Sequence, residues 1–309
     1  MMKKLLIPFM LLAVLVISAC GNKESNADGE KETREEQKVS EMITYESENG
    51  PIEVPANPQR VVALANAGSV MALDVNIVGV YSWSKANKRY ESYITDAEEV
   101  SDENLEKIIE LEPDLIIAAS TNNNLDKLAE IAPTVTYTYG NVDYLTQHIE
   151  IGKLLNKEEE AKAWVEDFKK RAAQAGEDIK AKIGEDATVS VFERYDKQLY
   201  VFGDNWGRGT EILYQEMKLA MPEKVKEMAL KEGYYALSTE VIPEYSGDYI
   251  ILSSDGVDNS FKETETYKNI PAVKNERVFE VDASEFYFND PITLDFQLEF
   301  FTESFLNSK

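Results

Sequence analysis

The chain of 309 residues holds one cysteine, Cys20, and one histidine, His148, and these two scarcities remove whole classes of chemistry. A His/Cys metal site cannot be assembled. Neither a Ser-His-Asp nor a Cys-His arrangement is supported, because His148 falls in a helix-like stretch with no nucleophile motif near it. No second cysteine exists to pair with Cys20. Basic residues are short as well: 32 Lys and Arg stand against 57 Asp and Glu, a formal net charge of −25. Nothing here could neutralise a row of phosphates, so nucleic acid is excluded as a partner and a basic partner surface is favoured. Plain solubility accounts for most of the acidity.

Long hydrophobic runs are also missing. The apolar stretch that starts at Leu5 and ends at Ile17 is too short to span about 30 Å of hydrocarbon. With Lys3 and Lys4 ahead of it and Ser18 and Ala19 after it, it reads as a signal peptide over residues 1–19. Ile17-Ser18-Ala19-Cys20 resembles the lipobox of bacterial lipoproteins. That resemblance implies lipidation of Cys20 as the first mature residue; a lone buried thiol behind an ordinary signal peptide is the alternative. Residues 20–41 are polar and without apolar periodicity, and read as a flexible tether.

What remains is enough for two lobes. Short β-rich runs at 60–64, 77–80, 115–118 and 135–138 alternate with helical patterns such as 104–110 and 125–131. The alternation predicts an α/β lobe around a mainly parallel sheet over 42–156. From Asn156, taken as an N-cap with Glu159 three residues later, apolar positions run at steps of three and four through Ala161, Trp164, Val165, Phe168, Ala172, Ala175, Ile179 and Ile183. They predict one long helix over 157–183, roughly 40 Å, connecting the lobes. A second strand series (188–192, 199–202, 249–252, 278–281) fills a C-terminal lobe over 184–309 and ends in a helix entered through Asp290-Pro291.

The halves echo each other. Residues 106–117 align without gaps to 240–251, placing Glu106 and Glu240 each eight residues before an aspartate that opens a strand. Each lobe thus presents one acid at the same place, although either glutamate could be a merely solvated helix residue.

The densest local signal lies at 199–209, a strand run followed by Gly203-Asp-Asn-Trp206-Gly207-Arg208-Gly209. Glycines on both sides of Arg208 allow a sharp turn and leave the guanidinium uncrowded, and loops at strand carboxyl ends are where open α/β sheets bind ligands. Trp206 and Arg208 are expected to face one space, an arginine for polarised oxygens beside an apolar wall. The alternative is a tight turn with Trp206 capping the core and Arg208 in a surface ion pair. Phe286-Tyr287-Phe288, and Tyr137 with Tyr139, also follow strands; alternation assigns Tyr137 and Phe288 to the core and leaves Tyr139 and Tyr287 for a pocket.

Tyr-Val-Phe-Gly-Asp-Asn-Trp-Gly-Arg-Gly at 200–209, Ala-Pro-Thr-Val at 132–135, Glu-Pro-Asp-Leu-Ile-Ile at 112–117 and Phe-Tyr-Phe-Asn-Asp-Pro at 286–291 together resemble the binding lipoproteins of iron–siderophore ABC importers, most closely those of Gram-positive bacteria that carry ferric hydroxamates such as ferrichrome. The resemblance implies two αβα lobes joined by a single long helix. It makes Arg208 the donor to hydroxamate oxygens, Trp206 and Tyr200 the aromatics against the siderophore, and Tyr139 a tyrosine of the facing lobe. Tyr287 stands where some relatives have tryptophan, a smaller wall. Glu106 and Glu240 become the pair that docks onto permease arginines. The implied protein is a monomer, not an enzyme, lipid-anchored on the extracellular face of the membrane. Iron enters as a finished chelate, with no resident cofactor and no protein atom on the metal. Rival readings are a catecholate or mixed siderophore, haem or a corrinoid as ligand, a surface lipoprotein enzyme that processes siderophores, and an adhesin.

Overall fold

Two buried parallel strand sets and the helices on their faces build the fold, and each arises from a short apolar run closed by polar turns. The structure, a computed structural model, describes residues 41–256 and 259–308. The expected leader at 1–19, Cys20 and the tether up to residue 40 lie outside those residues. Strands β1 (Met42–Ser47) and β2 (Gly50–Pro55) form an antiparallel hairpin that sequence periodicity did not single out. Strands β3 (Val61–Ala63), β4 (Ile77–Val80), β5 (Glu98–Glu99), β6 (Leu115–Ala119) and β7 (Thr134–Tyr137) follow, in a wholly parallel sheet of order β5-β4-β3-β6-β7. Residues 61–63 and 115–118 are all buried, as expected of strands covered on both faces.

The second sheet holds β8 (Val189–Tyr195), β9 (Gln198–Phe202), β10 (Tyr234–Leu237), β11 (Tyr249–Ser254) and β12 (Val278–Asp282), in the order β10-β9-β8-β11-β12. β8, β11 and β12 are parallel, whereas β9 runs antiparallel to both neighbours. This sheet is therefore mixed. Only Asp196 and Lys197 separate β8 from β9, far too few residues for a crossover, and Asp196 takes the left-handed conformation (φ 53) that a tight hairpin needs. β10, a largely exposed edge strand, has no counterpart among the expected elements.

The internal echo has a structural basis. Asp114 receives the backbone N–H groups of Gln59 and Arg60 (2.7 and 3.0 Å), just before β3, while Asp248 receives the N–H and hydroxyl of Thr188 (2.9 and 3.0 Å), just before β8. Each aspartate ties the start of its own strand to the parallel partner, so the repeat marks the same joint in both sheets.

The long helix runs Glu158–Ile183, 26 residues, with Ala161, Val165, Phe168, Ala172, Ala175 and Ile179 buried along one face. Gly176 shares that face: a Cβ there would lie 2.2 Å from the Met217 carbonyl oxygen, so the glycine permits a backbone-to-helix contact. Asn156 does not cap this helix. It sits at φ 56, one residue past the C-cap Leu155 of helix Tyr144–Leu154. Bonds from Asn156 N–H to Lys153 O (3.2 Å) and Lys157 N–H to Gly152 O (2.7 Å) make the left-handed helix stop that asparagine tolerates well. Asp290 does cap helix Pro291–Leu306, accepting from Ile292 and Thr293 N–H.

Besides the long helix, the C-terminal segment also links the lobes. Lys88 pairs with Asp282, Arg89 with Glu285, and Tyr90 donates to Asp290. Phe288 and Ile292 pack on the core of the first lobe, and Gly68 is small enough to admit the Asp290 carboxylate.

Candidate functional site

In both sheets the crevice opens where chain direction diverges from the central strand, beyond the carboxyl ends of β3 and β6 in one lobe and of β8 and β11 in the other. Residues 206–209 follow β9, whose antiparallel course ends level with the amino half of β8, and take four successive positive φ angles: Trp206 84°, Gly207 72°, Arg208 59° and Gly209 78°. A tryptophan there is a strained residue, held because everything around it is fixed. A Cβ on Gly207 would meet the Tyr287 carbonyl oxygen at 2.3 Å, and one on Gly209 the Phe301 ring at 2.4 Å, while Arg208 N–H donates to Phe286 O at 2.6 Å. The loop is clamped beneath segment 286–287, which brings Tyr287 onto Arg208. After it, the chain makes only a wide π-type turn, Glu211–Glu216.

The glycines turn the chain, but the guanidinium is not uncrowded. Arg208 Nε and Nη2 donate to the two oxygens of Glu193 (3.1 and 2.7 Å), and Nη1 donates to Trp206 O (2.8 Å). Glu193 is 1% exposed and also accepts from the Ser253 hydroxyl at 2.7 Å. Phe202 and Tyr287 lie 4.8 Å from the guanidinium carbon, close enough for cation–π attraction. Three of five N–H groups are thereby used, and two have no partner among the described residues. Burial, with the Glu193 charge next, pushes the Tyr287 hydroxyl up to about 12, so it stays a neutral phenol.

A continuous series of ring contacts runs through this arginine. Tyr139 of the first lobe meets Trp206 at 5.4 Å; Trp206 meets Tyr234 at 5.4 Å; Tyr234 meets Tyr200 at 5.8 Å; Tyr200 reaches Phe202 at 6.5 Å. Beyond Arg208, Tyr287 meets Trp83 at 5.2 Å, returning to the first lobe. All five residues assigned to the ligand by sequence, Tyr139, Tyr200, Trp206, Arg208 and Tyr287, belong to this arc. Trp83 and Tyr234 were not anticipated. Trp83 follows β4 as the chosen aromatics follow their strands, and that rule would have found it. Tyr234 opens an edge strand, and only its pairing with Phe202 across β9 and β10 brings it in. Tyr139, Trp83, Trp206 and Tyr234 are exposed, whereas Tyr137 is buried and Phe288 packs at the lobe junction.

A cavity of about 460 Å³ adjoins the arc. Tyr139 and Trp206 line it; Arg208, Tyr200 and Tyr287 do not. Ala65 and Asn66 after β3, Ala119 in β6, and Asn289 contribute its other walls. Elsewhere, His148 is buried edge-on to Trp164 (5.3 Å), and burial lowers its pKa to about 4, which fits a neutral core residue. Among the described residues no three His, Cys, Asp or Glu side chains group so as to hold a metal ion.

Glu106 and Glu240 are exposed and occupy matching places. Each is the second residue of a helical turn, after Asn104, whose side chain accepts from Lys107 N–H, and after Ser238, whose hydroxyl accepts from Glu240 N–H.

Residues 61–285 match the family described as periplasmic binding protein. The iron(3+)-hydroxamate-binding protein FhuD of Bacillus subtilis (strain 168) is 37% identical over 305 residues, 96% of this chain and 95% of that protein. The iron(3+)-hydroxamate-binding protein YxeB of the same organism is 35% identical, covering 98% and 97%. The structure of FhuD2 from Staphylococcus aureus with bound ferrioxamine B is similar at a TM-score of 0.77 and 37% identity, over 81% of this chain and 98% of that one. With a family match through both sheets and relatives aligned nearly end to end, the chain belongs to the periplasmic binding protein family and is a substrate-binding protein rather than an enzyme.

Proposed function

We propose that the protein captures a ferric hydroxamate siderophore between its lobes and delivers it to the permease of an ABC importer for iron uptake. The aromatic arc that crosses from lobe to lobe through Arg208 carries this reading. A ferric trihydroxamate presents polarised oxygens around iron and apolar methylene faces elsewhere, which suits two free guanidinium N–H groups between flat rings. The iron arrives with its coordination shell filled, so no resident cofactor and no protein ligand to the metal is required. The hydroxamate-binding relatives and the ferrioxamine B complex support the choice of ligand class. A highly anionic catecholate would call for several free cations. Of the cations that could have served, Lys88 and Arg89 are held by Asp282 and Glu285 and Lys85 donates to the Ile94 carbonyl, while Arg194 follows Glu193 in β8 and so lies on the other face of the sheet.

The protein acts as a monomer at the extracellular face of the membrane, held by lipid on Cys20 with residues 21–41 as tether. Glu106 and Glu240 are the docking acids for basic residues of the permease.

A titration against ferrichrome, ferrioxamine B, a ferric catecholate and haem tests the ligand class. Quenching of tryptophan emission by the two hydroxamates at far lower concentrations than the others is the expected result, since Trp83 and Trp206 both sit in the arc. Preferential binding of catecholate or haem would replace the reading.

A further inference from the structure

The cavity beside the arc has a charge character that the arc lacks. Asp143 and Glu211 are among its lining residues, amide side chains including Asn66, Gln147, Gln215 and Asn289 make up much of the rest, and no Lys, Arg or His is among them. Glu211 is 2% exposed, and the groups within hydrogen-bond reach of its oxygens are neutral: Gly207 N–H (3.0 Å) and the Asn289 amide (3.0 Å) at one, and at the other the Thr210 hydroxyl (3.1 Å), which also lies 2.8 Å from the Gly207 carbonyl oxygen. Asp143 accepts from Leu145 and Thr146 N–H and the Thr146 hydroxyl. Neither carboxylate has a cationic partner among the described residues, whereas the one arginine of the arc is neutralised by Glu193. The interlobe site is therefore negative before any ligand arrives. A buried carboxylate without a countercharge is costly, and a cation supplied by the ligand would relieve that cost. Tyr144, on the same wall, has its hydroxyl pKa raised by burial and then by the Glu216, Glu211 and Asp143 charges, which agrees with this field.

We propose that this cavity is a subsite for a protonated amine carried by the siderophore, so that the protein favours linear ferric trihydroxamates ending in an alkylammonium over neutral chelates of the same metal core. The inference rests on the hydroxamate reading above. Tyr139 and Trp206 belong to both arc and cavity, so a chelate on the arc could send a short chain past that ring pair towards Glu211 and Asp143. The volume lies within the range of about 300–1,000 Å³ usual for small-molecule sites, ample for such a chain.

The test compares ferrioxamine B, which ends in a primary ammonium, with its N-acetylated form and with ferrichrome, both neutral, by fluorescence titration of the wild-type protein at low and high salt. Ferrioxamine B should bind roughly tenfold or more tightly than its N-acetyl form, the size of a charged hydrogen bond, and added salt should narrow that ratio. Glu211→Gln should erase most of the ratio while leaving the N-acetyl form bound. Should that buried variant misfold, Asp143→Asn keeps a good helix cap and should reduce the same ratio. Equal wild-type affinities for the two ferrioxamines, or a ratio indifferent to salt and to these variants, overturns the subsite and leaves the hydroxamate reading standing. Binding of none of the three overturns both.

Discussion

Arg208 is already neutralised by Glu193, and this changes what its removal means. Its partner Glu193 is buried in strand β8, so Arg208→Ala deletes the donor proposed for the ligand and also strands a carboxylate in the interior. Affinity for a ferric hydroxamate should fall by about 1.5–3 kcal/mol, and stability by about 3–5 kcal/mol. Adding Glu193→Gln should return part of the stability in urea denaturation but none of the affinity. Unchanged affinity by fluorescence quenching would remove Arg208 from the site. Arg208, Trp206 and the flanking glycines were legible because they lie in one short run whose turn chemistry is local. Glu193 and Ser253 were not. They come from separate strands, and their meeting depends on the parallel register of β8 and β11, which pairs Glu193 with Ser253.

At the scale of elements, the long helix was read almost to the residue because one apolar face repeats along it, and most of that face is buried. Its start was misjudged. Asn156 has the composition of a cap, but asparagine serves equally as a left-handed stop, and only the preceding helix decides between the two roles. The helix also yields two tests. Phe168→Ala should cost about 3–5 kcal/mol as a cavity in a fully buried place. Gly176→Ala should destabilise too, although alanine is intrinsically the better helix former by about 1 kcal/mol, because its methyl would press on Met217 backbone. A raised urea midpoint for Gly176→Ala would show that the contact can yield and that the helix is not pinned there.

For the whole molecule, two links between the lobes stand out among the described residues. The long helix is one, and the entry to helix Pro291–Leu306, tied by Lys88–Asp282, Arg89–Glu285 and Tyr90–Asp290, is the other. Two links should restrict hinge motion more than one helix would. Glu106 and Glu240 hold matched positions on the two lobes, each at the second residue of a capped turn. Glu106→Ala with Glu240→Ala should leave siderophore affinity unchanged and sharply reduce uptake of radiolabelled iron chelate by cells. Normal uptake in that double variant would refute the docking role.

Strand runs, helix periodicity, the turn at 203–209 and the paired aspartates are written in short stretches of chain, where steric and hydrophobic preferences act between near neighbours, so the two-lobed architecture and the arginine loop could be read from residues alone. The return of Tyr234 and Trp83 to the arc, the neutralisation of Arg208 by Glu193 and the acidic cavity beside Trp206 depend on contacts between distant segments. Packing and strand register set those contacts, and neither can be worked out from any one stretch of sequence.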